Sequence, residues 1–192
     1  MNKENEDRFY YNSKFLGSPD GRSIRLLSEY FGPLQRFRRN NIQDTIVFFG
    51  SARLKSEEDA KLALKAAPKN ISKKKKDRLN IDLEMSYYYE CARELSYRMT
   101  KWSKKLKYKK KRFIVTSGGG GGIMEAANRG AAEAKGLAVG LSISLPFEKA
   151  GNTWISDDLE FNFHYFLCVS FGSYTWLKQW WFGQGELEHW MK

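Results

Sequence analysis

The densest group of residues that could bind a ligand is a run of five glycines, Gly118, Gly119, Gly120, Gly121 and Gly122. A short apolar run precedes it, and an alanine-rich helical pattern follows it directly. Glycine lets backbone N–H groups approach an anion closely, and a helix start adds unpaired N–H groups and the positive end of the helix dipole. The order of strand, glycine loop and helix predicts a phosphate site.

The residues after the glycines argue against two common nucleotide sites. A Walker loop has Lys and Ser/Thr after its glycines, whereas Ile123 and Met124 follow here. A dinucleotide fingerprint that began at Gly118 would require its third glycine at position 123, where this chain has Ile. We therefore expect a monophosphate site, with Met124 and Glu125 among its contacts, rather than an ATPase or a nicotinamide dehydrogenase. The alternative is a glycine turn that only allows close helix–strand packing.

The elements that must position this loop have the pattern of an α/β domain. Apolar runs predict strands at 45–49, 112–116 and 137–145. Helical periodicity predicts helices at 57–67, 85–102 and 122–135, the last with Gly136 as its C-cap. Strands alternating with helices indicate a parallel sheet.

A second glycine turn, at Gly50 and Ser51, follows the first predicted strand, with Arg53 two residues further on. Ligands of parallel sheets bind at the carboxyl ends of strands, so both turns should face one crevice. Gly50, Ser51 and Arg53 are thus further candidate contacts, although Arg53 could equally be a surface arginine. Glu125 and Arg129 lie one helical turn apart and either contact the ligand or pair with each other.

The flanking segments predict an N-terminal extension over residues 1–40 and a connector. Within the extension, apolar residues recur at helical spacing from 24 to 34, and Gly32-Pro33 should interrupt that helix. The lysine-rich stretch at 68–82 is predicted to be a connector before the long amphipathic helix.

The chain is basic, since 33 Lys and Arg oppose 22 Asp and Glu for a net charge of +11. Much of the excess lies in two runs, 73–76 and 104–112, which we interpret as solvated surface because loop-like sequence flanks both. Nucleic acid is therefore not expected as a partner. A basic nucleic-acid binder stays open as a third possibility, which salt-dependent binding of DNA or RNA would reveal.

Composition also argues against a disulfide-rich, metal-binding, secreted or membrane-spanning protein. Cys91 and Cys168 cannot build a disulfide framework and lack metal-ligand spacing, so neither a metal nor a cofactor is expected. No signal peptide is visible, and no apolar run approaches the roughly 18 residues of a membrane span. We expect a cytoplasmic protein that binds no membrane.

Six segments together carry a resemblance to one family. They are 17–22 (GSPDGR), 37–40 (FRRN), 45–53 (TIVFFGSAR), 117–131 (SGGGGGIMEAANRGA), 140–148 (GLSISLPFE) and 161–166 (FNFHYF). Jointly they resemble the LOG ("lonely guy") family, long mislabelled as lysine decarboxylases, over roughly residues 17–167. Gly121 stands where many relatives carry proline.

The resemblance implies a Rossmann-like three-layer fold over residues 41–166 and, in the family, a homodimer. Characterised members hydrolyse the N-glycosidic bond of nucleoside 5′-monophosphates, such as AMP or cytokinin ribotides, to the free base and ribose 5-phosphate. It also implies a signature after Phe166: an Arg-Lys pair, a strand and the motif P-G-G-x-G-T-x-x-E, whose Arg and final Glu are catalytic. This chain lacks that signature, so we assign it no catalytic residue.

The genetic code offers an explanation for the tail at 167–192. Suppose that one nucleotide was lost near codons 166 and 167. Each original codon downstream is then recovered by taking the last base of one present codon and the first two bases of the next. Trp180 and Trp181 then force valine, while Met191 and Lys192 force glutamate. One permitted reading is R-K-F-W-F-V-Y-L-A-K-A-M-V-V-W-P-G-G-T-G-T-L-D-E, which contains the missing signature in order.

The hypothesis is therefore that residues 167–192 are out of frame and that the chain is truncated. The sheet should then be incomplete at its C-terminal end, with an uncovered edge. We expect the family activity to be lost or impaired in this chain. A non-catalytic nucleotide- or cofactor-binding protein of the same fold is the alternative.

Overall fold

A computed structural model describes residues 8–68, 70–143 and 151–165, together with the backbone of 179–182. Its five parallel strands form one sheet in the order β4-β3-β2-β1-β5. The strands are β1 (Thr45–Phe48), β2 (Ile114–Ser117), β3 (Ala138–Ile143), β4 (Glu160–Phe163) and β5 (Gln179–Phe182). The three predicted strands and their parallel arrangement are confirmed.

The described helices are α1 (Ser13–Gly17), α2 (Arg22–Arg39), α3 (Glu57–Lys65), α4 (Lys73–Ser103) and α5 (Ile123–Glu133), and short 3-10 turns occur at Phe9–Tyr11 and Asp157–Leu159. The predicted connector is wrong from residue 73 onward, because that stretch forms the first turns of α4. Lys, Arg and Leu are good helix formers, so the sequence there suits a helix despite its high charge.

Helix α2 also corrects the prediction of an interruption near Gly32. It runs for 18 residues with Pro33 in its interior. Proline fits helical φ angles, but it cannot donate a backbone hydrogen bond and its ring crowds the preceding turn. Here Pro33 and Phe37 are buried, and Phe37 belongs to the core beneath the helix. We infer that this packing offsets the cost of the proline.

Helices cover both faces of the sheet because successive strand residues point in opposite directions. One face packs Ile46, Phe48 and Val115 against α5 alanines, and α5 in turn packs on α4. The opposite face brings Phe37 of α2 together with residues of β2, β3 and β4: Ile114, Val139, Phe161 and Phe163. This is the predicted Rossmann-like three-layer fold.

The expectation of an uncovered sheet edge is wrong at β1. Strand β5 pairs with it in parallel, with Thr45 opposite Gln179 and Phe48 opposite Phe182. Parallel pairing uses main-chain groups, and the aromatic residues at 180–182 favour extended structure. Residues 179–182, which belong to the segment hypothesised to be out of frame, therefore cover this edge. The rest of the tail lies outside the described residues, so the frame hypothesis stays a prediction.

The end of α5 differs by two residues from the sequence prediction. Ala134 is the C-cap, and Lys135 adopts the left-handed conformation, with φ of 56°. The N–H of Lys135 donates to Ala132 O at 2.8 Å and that of Gly136 to Ala131 O at 2.9 Å, which is the Schellman pattern. Gly136 is needed for space, since a Cβ there would collide with Thr100.

Candidate functional site

The two predicted glycine turns meet at the carboxyl ends of neighbouring strands β1 and β2. The N–H of Ile123 donates to Ser51 O at 3.0 Å. A Cβ on Gly50 would lie 2.6 Å from the Ile123 side chain, so glycine is required for this approach. Gly122 has φ of 64°, and a Cβ there would collide with Ser51 O. The two turns are therefore in direct contact, and a ligand crevice shared between them stays a prediction.

Two serines at strand ends fix the start of the glycine loop. Gly119, with φ of 77°, donates its N–H to Ser117 Oγ at 3.1 Å. Ser142 Oγ of β3 donates to Gly118 O at 3.4 Å. The loop is thus attached to both β2 and β3, and Gly119 occupies a conformation that favours glycine.

Asn152 holds the middle of the loop, a role that the sequence did not reveal. Its side-chain amide donates to Gly119 O and to Gly120 O, each at 3.0 Å. Its backbone N–H donates to Gly119 O at 2.8 Å. Its own Oδ1 accepts the N–H of Trp154 at 3.2 Å, which orients the amide. Asn152 therefore binds two loop carbonyls from one side.

This arrangement leaves several backbone N–H groups of the loop without a described acceptor. Within the described residues, the backbone N–H groups of Gly120, Gly121 and Gly122 have no hydrogen-bond acceptor. The first-turn N–H groups of α5, at Met124 and Glu125, lack intrahelical partners by helix geometry. Gly122 is the N-cap and offers no side chain to satisfy them. The result is a group of donors at a positive helix end, suited to an anion.

Met124 packs on the loop itself. A Cβ on Gly118 would lie 2.8 Å from its sulfur, and a Cβ on Gly120 would lie 2.9 Å from its Cε. Glycine at both positions makes room for this side chain. The predicted contact of Met124 with a ligand is untested, whereas its contact with the loop is direct.

Glu125 lies beside the loop and is held by a tyrosine of α4. Tyr89 Oη donates to Glu125 Oε1 at 3.2 Å, and Tyr89 is only 1% exposed. Burial, followed by the nearby Glu125 charge, raises the pKa of Tyr89 to about 12. Tyr89 is thus a neutral donor near pH 7. Glu125 Oε2 lies 3.8 Å from the place of a Cβ on Gly121, and its contact with a ligand stays a prediction.

The alternative that Glu125 and Arg129 pair with each other is wrong. Arg129 Nε instead donates to Glu133 Oε1 at 3.1 Å. Arg93 of α4 also donates to both oxygens of Glu133, at 2.7 and 2.6 Å. Burial acts to raise the pKa of Glu133, but the hydrogen bonds from Arg93 and Arg129 outweigh it and the pKa is lowered. This cluster joins α5 to α4, and no described cation forms a salt bridge with Glu125.

Arg53 lies exposed just beyond the Gly50-Ser51 turn. Its backbone N–H donates to Ser51 Oγ at 3.2 Å. No described residue accepts a hydrogen bond from its guanidinium. The structure therefore places Arg53 next to the Gly50-Ser51 turn, and contact with a ligand stays a prediction.

The fold and the two glycine turns define a class: a Rossmann-like domain with a glycine loop at the carboxyl edge of its sheet. Over the described residues, no three side chains of metal-ligating type converge. None of the described helices has the length and apolarity needed to cross a membrane.

A family comparison agrees with that class. Residues 106–161 match the SLOG cluster4 family (LDcluster4), which is less than a third of the 192 residues. The matched segment includes β2, the glycine loop, α5 and β3. It supports a protein of SLOG type and, broadly, a nucleotide-related function. No curated protein gave a match.

Proposed function

We propose that the chain is a LOG-like protein that binds nucleoside 5′-monophosphates, with the phosphate in the glycine loop 118–122 and at the start of α5. One observation carries this proposal: the N–H groups of Gly120, Gly121 and Gly122 have no described acceptor, while Asn152 occupies the neighbouring carbonyls. Hydrogen bonds to a charged acceptor contribute on the order of 1.5–3 kcal/mol each. Three such bonds and the helix end would favour a phosphate over a neutral nucleoside.

The expected reaction is hydrolysis of the N-glycosidic bond. Water adds to the anomeric carbon, the bond to the base breaks, and the base leaves with a proton. The sugar develops oxocarbenium character, which a nearby carboxylate stabilises. If the chain is LOG-like, that carboxylate belongs to the signature that the sequence lacks after Phe166. We therefore propose that binding persists here and that hydrolysis is lost or impaired.

Isothermal titration with AMP and with adenosine tests the binding step. We expect saturable binding of AMP and at least tenfold weaker binding of adenosine. Gly121→Asp adds a carboxylate in the loop, where a Cβ has its nearest neighbour, Ala52 O, at 3.3 Å. This variant should abolish AMP binding by repulsion. Gly32→Asp is the matched control, since a Cβ on Gly32 meets no atom within 4 Å. Equal affinity of both variants for AMP would refute a phosphate site in the loop.

The second candidate function, a non-catalytic nucleotide-binding protein, is favoured by the missing signature alone. Chromatographic detection of adenine after incubation with AMP separates the two. We expect no release from this chain and release from a protein whose reading frame has been restored after residue 166. If the restored protein binds AMP but releases no adenine, the non-catalytic function is favoured. If no single-base change in the DNA restores the P-G-G motif, the frame hypothesis fails.

A further inference from the structure

A cleft of about 400 Å³ opens at the opposite, amino edge of the sheet. It lies between the C-terminal ends of α4 and α5 and the start of β2. Apolar and aromatic side chains form part of its wall: Leu106, Tyr108, Phe113, Ile114, Val115 and Leu137. The glycine loop contributes no residue to it, so this cleft is separate from the proposed nucleotide site.

The cleft is strongly cationic. Seven of the nine residues at 104–112 are Lys or Arg, and none of the lining residues is acidic. Arg112 is the one cation of this run with a described carboxylate partner, because its Nη2 lies 2.5 Å from buried Asp44. Lys104 donates to the carbonyls of Ala134 and Lys135, at 3.2 and 3.0 Å. The charges of the exposed residues 109–111 are left uncompensated by any described carboxylate.

Aromatic rings lie among these cations. The Arg112 guanidinium is 4.8 Å from the ring centroids of both Tyr108 and Phe113. Trp102 packs on Phe113 with centroids 5.0 Å apart. Tyr108 is 58% exposed and Trp102 is 48% exposed. The exposed ring of Tyr108 is therefore adjacent in sequence to the exposed Lys109.

We propose that this cleft binds single-stranded nucleic acid. Phosphates contact the lysines at 109–111, and an unpaired base stacks on Tyr108, whose ring also contacts Arg112. A cationic groove with aromatic platforms is the chemistry that single strands require. An anionic membrane fits less well, because the apolar wall is concave and a flat bilayer cannot enter it. The proposal departs from the sequence interpretation of a solvated run, because part of the run lines one cleft.

Fluorescence anisotropy with a labelled twelve-nucleotide single strand tests the proposal. Single-stranded binding falls with salt at a logarithmic slope of about −0.7 for each phosphate contact. Contacts with the three lysines predict a roughly 20-fold loss of affinity between 50 and 200 mM salt. Failure to bind at 50 mM salt would overturn the proposal. Tighter binding to vesicles containing phosphatidylserine than to the oligonucleotide would overturn it in favour of a membrane surface.

Two triple variants separate the cleft from net charge. Lys109→Ala/Lys110→Ala/Lys111→Ala should weaken binding at least tenfold and reduce the salt slope by about 2. Lys73→Ala/Lys74→Ala/Lys75→Ala removes the same charge at the far end of the 31-residue α4 and should leave affinity within about twofold. Equal losses in both variants would show that net charge alone is responsible and would refute the cleft as the site.

Tyr108→Leu tests stacking without a change of charge. We expect a loss of affinity on the order of tenfold with an unchanged salt slope, because one base loses its aromatic partner. Tyr87→Leu, an exposed tyrosine on α4, is the control and should bind normally. Circular dichroism confirms that each variant is folded. Unchanged affinity in folded Tyr108→Leu contradicts stacking on this ring.

Discussion

The carboxyl and amino edges of the sheet lie at opposite ends of the same strands, β1 and β2, but different chemical groups dominate them. At the carboxyl edge, backbone N–H groups of glycines are the proposed ligand contacts, and Asn152 supports them through carbonyls. At the amino edge, charged side chains dominate, led by Asp44, Arg112 and the lysines at 109–111. A backbone site should be sensitive to any added Cβ, whereas a side-chain site should be sensitive to charge and salt.

The largest effect is expected from Gly122→Ala at the carboxyl edge. The φ of 64° disfavours alanine, and the Cβ would collide with Ser51 O. Strain and overpacking together predict a loss of about 3 kcal/mol in the free energy of unfolding, measured by urea denaturation. Gly32→Ala, at an open position inside α2, is the control and should be neutral or stabilising. Equal stability of the two variants would contradict the described loop conformation.

At the amino edge, Asp44→Asn should produce the next largest effect. Asp44 is buried and accepts from Arg112 Nε and from the Phe113 N–H, each at 2.6 Å. Phe113 has φ of 53°, so this acceptor also holds a disfavoured conformation. We expect Tm to fall by roughly 5 °C in calorimetry.

The control for that variant is Asp20→Asn, which changes an exposed carboxylate and should leave Tm within about 1 °C. AMP binding should persist in folded Asp44→Asn, because the two edges act separately. If Asp44→Asn keeps its Tm but loses AMP binding, the claim that the two edges act separately is contradicted.

Asn152→Ala returns to the carboxyl edge with a smaller effect. Removing the amide leaves Gly119 O and Gly120 O without that donor, which predicts a loss of about 1–2 kcal/mol in unfolding free energy. AMP affinity should fall about tenfold as the loop loosens. Asn162→Ala, on an exposed position of β4, should change neither quantity. An unaltered AMP affinity in Asn152→Ala would show that the loop does not need this support.

The smallest effect concerns the pH dependence contributed by Tyr89. Its pKa is raised to about 12 in the folded state, above about 10 for an unfolded tyrosine. The folded state therefore keeps the proton longer, and this contribution to stability is present below pH 10 and lost as the pH rises toward 12. Tyr89→Phe should show a shallower decline of stability than the parent between pH 10 and 12, by on the order of 1 kcal/mol.

Tyr10→Phe, which removes the hydroxyl of an exposed tyrosine, is the reference for Tyr89→Phe and should keep the parent's decline. Equal pH profiles for Tyr89→Phe and the parent, followed by chemical denaturation at each pH, would contradict the burial of Tyr89 against Glu125.

Local signals in the sequence were enough to predict the glycine loop and the strands on either side of it. They failed at Pro33, because the packing of Phe37 beneath α2 is tertiary, and at 73–82, where high charge concealed good helix formers. Asn152 escaped notice because its hydrogen bonds span more than 30 residues of sequence. The amino-edge cleft was equally hidden, since it exists only where the ends of α4 and α5 meet β2.

Backbone amide resonances during titration with AMP test the central claim most directly, because both edges are observed in one experiment. We predict saturable shifts at Gly120, Gly121, Gly122 and the first turn of α5, little change at 109–112, and no comparable shifts with adenosine. Shifts confined to 109–112, or shifts that adenosine reproduces in full, would contradict a phosphate site in the glycine loop.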